Sequence, residues 1–81
     1  MYLHVGEDIV LNCEDIVGIF DLDNTTVSPI TRNYLTYKEK EGLVVNVSEK
    51  LPKSFIVCKE ESRETIYISQ ISPGVLSKRK L

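Results

Sequence analysis

The chain has no tryptophan, one histidine and two cysteines among its 81 residues. Neither Cys13 nor Cys58 belongs to a CxxC pair, and His4 is far from Cys58 in sequence, so nothing in the spacing assembles a zinc site. Small secreted proteins of this length carry several cysteines as a disulfide framework. Two thiols inside apolar, strand-like runs instead indicate structural free cysteines in a reducing compartment. No apolar stretch approaches the ~18 residues of a membrane span, and the start MYLHVGED has neither a basic nor an apolar leader region. The expectation is a cytoplasmic protein with no membrane partner. Glycine is equally sparse: four scattered residues form no phosphate-cradling loop.

Basic residues are missing altogether from the first 31 positions, which hold six acids. Residues 32–81 hold all ten bases against six acids, so the segments carry −6 and +4 and sum to the net −2. This asymmetry fits a basic surface for an anionic partner, complementary faces on neighbouring subunits, or charges that scatter once the chain folds. With 42% hydrophobic and 27% charged residues the chain should fold, and its length allows one domain over residues 1–81. A core this small supplies only about 3–5 kcal/mol, so support from partner subunits is expected.

Short apolar runs at Tyr2–Val5, Ile9–Leu11 and Ile16–Phe20 read as strands. In the third, alternation sets Val17 and Ile19 on one face and Ile16, Gly18 and Phe20 on the other. Both faces are apolar, so such a strand needs cover on both sides, and a second subunit would provide it. Ser28-Pro29 signals a helix start, the Ser oxygen capping an orphan amide, with Gly42 as the left-handed stop. Within that helix Ile30, Tyr34 and Tyr37 form the expected buried stripe, and Arg32, Thr36, Glu39 and Lys40 face water. Strands follow at Leu43–Val47, Phe55–Cys58 and Thr65–Ile68, the last two a hairpin. Ser72-Pro73 repeats the helix-start signal. The resulting order, β-β-β-α-β-β-β with a terminal turn or helix, indicates an α+β, antiparallel, β-rich open barrel or sandwich with one inserted helix.

One string has the look of chemistry. Ile19-Phe20-Asp21-Leu22-Asp23-Asn24-Thr25 is similar to the DxDxT motif of haloacid-dehalogenase-like phosphatases, where the first Asp attacks phosphorus. That chemistry needs a doubly wound parallel sheet, a later Lys and a late acidic pair, for which the chain has no room. The string reads better as a strand-ending turn, with a weak cation site at Asp21/Asp23 as the residual alternative. His4 reads as a satisfied strand residue rather than a base, and Tyr34 and Tyr37 as core rather than a base-stacking platform. No catalytic residue, metal or cofactor is expected.

The bases carry the remaining signal: Lys50 and Lys53 before the final hairpin, Arg32 on the helix, and Lys78, Arg79 and Lys80 near the end. They could bind phosphates with salt-dependent affinity, or simply be solvated. Taken together, MYLHVGEDIVL, DIVGIFD leading into SPITRNYL, PKSFIVC and YISQISPGVLSKR resemble the RemA/RemB family of bacterial extracellular-matrix regulators over nearly the whole chain. The resemblance implies a cytoplasmic DNA-binding transcription regulator, a closed ring-like homo-oligomer and a fold similar to LytTR-type domains. Where RemA-like members carry an Arg-rich stretch for DNA, this chain has Lys50-Leu51-Pro52-Lys53, and Glu14-Asp15 replaces residues that can be basic. Lysine lacks the bidentate fork of arginine. The functional expectation is therefore a non-enzymatic, oligomeric binder of double-stranded DNA that contacts phosphates. The alternative is a structural or protein-interaction module without nucleic acid.

Overall fold

The computed structural model describes residues 1–22 and 28–79. Strands β1 (Tyr2–Gly6) and β2 (Ile9–Asn12) make an antiparallel hairpin, and a 3₁₀ turn over Cys13–Asp15 leads into β3 (Ile16–Asp21). Helix α1 (Pro29–Lys40) is followed by β4 (Val44–Asn46), β5 (Ser54–Glu60), β6 (Arg63–Ser69) and helix α2 (Pro73–Arg79). The order of elements agrees with the reading of the sequence.

The strands form two sheets with no closed barrel among the described residues: β1 and β2 pair by themselves, and the other strands make a four-stranded sheet ordered β3-β5-β6-β4. The pairing departs from the antiparallel reading at one strand, because β4 runs parallel to β6. The cause lies in the β5–β6 hairpin, which is closed by the two residues Glu61 and Ser62, with Glu61 at φ 56°, and pairs along its full length. With β5 occupying one side of β6, β4 takes the other, and it leaves α1 in the direction β6 already runs.

Alternation along β5 divides the core. Ile56 and Cys58 face the β1–β2 hairpin and join Leu3, Val5, Leu11, Val47 and Leu76 of α2; Phe55 and Val57 face α1 with Ile66, Tyr34 and Leu35. The sheet thus lies between a hairpin-plus-α2 layer and an α1 layer. Each fully buried Leu or Ile contributes about 1.5–3 kcal/mol. Two buried serines tie the hairpin layer down: Ser69 Oγ donates to the Val5 carbonyl at 2.6 Å, and Ser54 Oγ to that of Ile71 at 2.7 Å. Burial without these partners would be costly.

A bulge in β3 overturns the alternation expected for that strand. Ile16 pairs with Cys58 but Gly18 pairs with Val57, so Val17 is the extra residue and the faces exchange beyond it. Ile16 and Ile19 join the hairpin-side core, while Val17 and Phe20 turn toward α1 beside Phe55 and Val57. The Phe20 ring lies over Gly18, where a Cβ would come within 2.6 Å of it, and stacks on Phe55 at 5.1 Å. The cover predicted for both faces of β3 is absent within the chain at Val17, which is 64% exposed.

The buried stripe of α1 is likewise not the expected one. Ile30 and Tyr37 are 82% and 59% exposed, and the side turned to the sheet carries Thr31, Tyr34, Leu35 and Lys38. The helix is rotated by about a quarter turn from the apolar reading. Polar anchors set the rotation: Tyr34 O–H donates to Glu64 Oε1 at 2.7 Å, and Lys38 Nζ donates to the Glu64 carbonyl at 3.4 Å. Ser28 makes no side-chain cap, although its carbonyl accepts from Arg32 N; the second Ser-Pro does cap, Ser72 Oγ accepting from Val75 N. Gly42, at φ 74°, ends α1 as expected, with Gly42 N donating to Glu39 O and Leu43 N to Lys38 O, the two bonds of a Schellman stop.

Candidate nucleic-acid interface

Lys50 and Lys53 share the loop between β4 and β5, and both are exposed. The loop is fixed at both ends. Val47 N donates to Ile68 O at 2.9 Å and Lys53 N to Ser69 O at 2.9 Å, while Lys50 N donates to Ser48 Oγ at 3.1 Å. Pro52 interrupts the strand pattern, so the intervening residues leave the sheet and carry their side chains outward. Loop and β1–β2 turn touch through Gly6: its φ is +130°, and a Cβ there would lie 2.8 Å from Gln70 Oε1 and 3.0 Å from Val47 Cγ1. Only glycine suits that position.

This loop sits at the end of the sheet where β3, β4 and β6 finish, because β3 and β4 both run parallel to β6 in sense. Its electrostatics are mixed. Lys50 borders a hollow with Asn46, Val47, Ser48, Glu49 and Glu7, so two carboxylates accompany one ammonium group. Arg32 is exposed on α1 and lines a groove with Leu35, Thr36, Glu39, Val44 and Ile68 at the β4 edge.

The remaining bases do not gather with these. Lys78 and Arg79 end α2, on the opposite face of the sheet from α1. Arg79 Nη1 donates to the His4 carbonyl at 3.2 Å and lies 3.4 Å from His4 Nδ1. His4 Nε2 is 2.6 Å from the Glu7 carbonyl, which can only accept, so Nε2 carries the proton and Nδ1 is the acceptor for Arg79. The ring is therefore satisfied on both nitrogens, as the sequence led one to expect. Arg79 is engaged in joining α2 to β1, a role that no sequence motif signalled. Lys80 lies outside the described residues, as do Asp23, Asn24 and Thr25 of the phosphatase-like string.

The thiols are free; Cys58 is buried and Cys13 half-buried, both in the hairpin-side core. Burial, then the charges of Asp15 and Glu60, push the Cys58 thiol up to about 11. Such a thiol is protonated and unreactive at neutral pH. Among the described residues, no cluster of His, Cys, Asp and Glu could hold a metal ion, and no helix is long and apolar enough to cross a membrane.

What the arrangement offers is a small α+β scaffold with an exposed two-lysine loop. The family model described as RemA-like, extracellular matrix regulatory protein A-like, matches residues 2–79. The chain belongs to this family, as the resemblance anticipated. Extracellular matrix regulatory protein B of Bacillus subtilis (strain 168) is 40% identical to it over 79 residues, covering 98% of this chain and 89% of that protein. The family is thus one named for regulation rather than catalysis.

Proposed function

We propose that the protein is a non-enzymatic transcription regulator of matrix genes in bacteria, which binds double-stranded DNA as a homo-oligomer. Lys50 and Lys53 contact phosphates from the β4–β5 loop. Arg32 adds charge from the α1 face, while Lys78 steers DNA from a distance. One subunit with two lysines binds weakly, and repetition of the loop around an assembly multiplies the effect through effective concentration. Phosphate contacts position a protein without reading sequence, so selectivity comes from the geometry of the repeated loops and the shape of the DNA. The observation that carries this reading is the exposure of both lysines in one anchored loop.

Fluorescence anisotropy with a labelled duplex at two salt concentrations tests it. Affinity should fall steeply with salt, and Lys50→Glu with Lys53→Glu should lower the log–log slope by about one for each lysine lost per engaged subunit. Absence of binding at low salt, or binding indifferent to the double reversal, removes the proposal. A second reading, an assembly module without nucleic acid, is favoured by Glu7 and Glu49 beside Lys50. That reading expects no binding at any salt.

A further inference from the structure

Asn46 closes β4 at the end of the sheet that carries the Lys50–Lys53 loop. Asparagine is depleted in strands, and in turns its side chain commonly bonds the backbone two residues on. Asn12 does so, its Oδ1 accepting from Glu14 N at 3.0 Å. The Asn46 amide is exposed instead and, among the described residues, nothing bonds it. Its backbone is nevertheless fixed, in register with Ile68 across the β4–β6 ladder and followed by the 2.9 Å bond from Val47 N to Ile68 O. An unused donor and acceptor thus stand on a strand rather than on a loop, the placement that precise recognition favours.

Cations flank this amide. Two hollows share Asn46, Ser48, Glu49 and Lys50 in their walls, so the segment forms a ridge between them. On the other side, Val44 and Ile68, the neighbours of Asn46 along β4 and across the ladder, line the groove that holds Arg32. Asn46 therefore lies between an exposed lysine and an exposed arginine. The stretch from Asn46 to Lys50 spans at most about 14 Å if extended, and the turn in which Lys50 N donates to Ser48 Oγ shortens it. A B-DNA major groove is about 12 Å wide. With the cations on phosphates along its walls, the side chain between them meets the base edges. The other polar groups of the ridge suit that place less: Ser48 Oγ is engaged by Lys50 N, and Glu49 and Glu7 are anionic.

We infer that Asn46 reads an adenine in the major groove, its Oδ1 accepting from the N6 amino group and its Nδ2 donating to N7. The inference deepens the proposed DNA binding and rests on it. It gives one side chain a direct choice of base, where the lysines supply position and the shape of the duplex supplies preference. Guanine in that place would set its O6, an acceptor, against Oδ1 and forfeit the pair, so it should be disfavoured by about 5- to 150-fold.

Selection from a random-sequence duplex library, followed by anisotropy on the selected duplex, tests the assignment. The wild type should enrich a position fixed as adenine. Asn46→Ala should lose that position and bind the selected duplex about 5- to 150-fold more weakly, with the salt slope and the urea midpoint unchanged. A duplex whose selected adenine carries carbon in place of N7 should weaken binding by the wild type and leave Asn46→Ala unmoved, an outcome that a merely structural asparagine does not produce. Wild-type protein that binds without selecting adenine, or Asn46→Ala that selects the same sequence, overturns the inference and leaves the phosphate contacts of Lys50 and Lys53 standing. Absence of binding to any duplex at low salt removes both, so the two failures are read apart.

Discussion

On the hairpin side of the four-stranded sheet, Leu3, Val5, Ile56 and Leu76 are wholly buried, whereas on the other side α1 contributes no buried residue and leaves Ile30 82% exposed. The hairpin side is closed by matched apolar surfaces and two serine hydroxyls. The α1 side is held by a polar clasp, Tyr34 and Lys38 on Glu64, beside an open groove. The fully closed apolar packing lies on the first side, and the exposed apolar surface on the second.

The largest effect that would sharpen this contrast comes from the core. Ile56→Ala should cost about 2–5 kcal/mol in urea unfolding, while Ile30→Ala should stay within about 0.5 kcal/mol. Equal costs would abolish the distinction between the faces. Next in size are the polar ties. Ser69→Ala removes the donor to Val5 and the acceptor for Ile71 N in a buried setting, for about 1–3 kcal/mol, against about 1 kcal/mol for Tyr34→Phe in its part-buried clasp.

Alkaline pH acts on both faces, in sequence. Cys58 is raised from 9.0 to about 11, chiefly by burial. Its contribution to stability is full below pH 9 and is lost as pH climbs through the folded value. Tyr34 is raised from 10.0 to about 12 by burial and its bond to Glu64, so its contribution fades from pH 10 upward. The melting temperature should fall from about pH 9, and Cys58→Val should delay the onset toward pH 10 by leaving the tyrosines to titrate, Tyr34 on the α1 side and Tyr67, also raised by burial, on the hairpin side. An onset unmoved by Cys58→Val would contradict this assignment.

The sequence revealed the elements in order, because strand and helix signals are local: Gly42 and the two Ser-Pro pairs punctuate the chain whatever it packs against. It did not reveal facing. The bulge at Val17 reverses the β3 alternation, and it forms in the pairing with β5, a strand distant in sequence. The rotation of α1 was hidden similarly, since a hydrophobic stripe gives no weight to Tyr34 O–H or Lys38 Nζ as anchors. At the site, Lys50 and Lys53 were legible as bases before a hairpin. Their carboxylate neighbour Glu7 was not, because it arrives from the β1–β2 turn through a contact only Gly6 permits. Arg79 was read as a free base for the same reason, its partner His4 being 75 residues away.

A smaller effect tests the mixed charge around Lys50. Glu7→Gln with Glu49→Gln should strengthen duplex binding at low salt by a few-fold, since each removed carboxylate near an exposed phosphate contact is worth roughly 0.2–1 kcal/mol. Binding that stays the same would mean that DNA does not approach this end of the sheet.

The most direct test of the account is the salt dependence of duplex affinity in two proteins, wild type and the double variant Lys50→Glu with Lys53→Glu. If a row of lysine loops on an assembly engages the DNA, log K should fall with log salt more steeply for the wild type, because more phosphates are neutralised per bound particle. Parallel lines of equal slope, or no duplex binding by either protein, would contradict it.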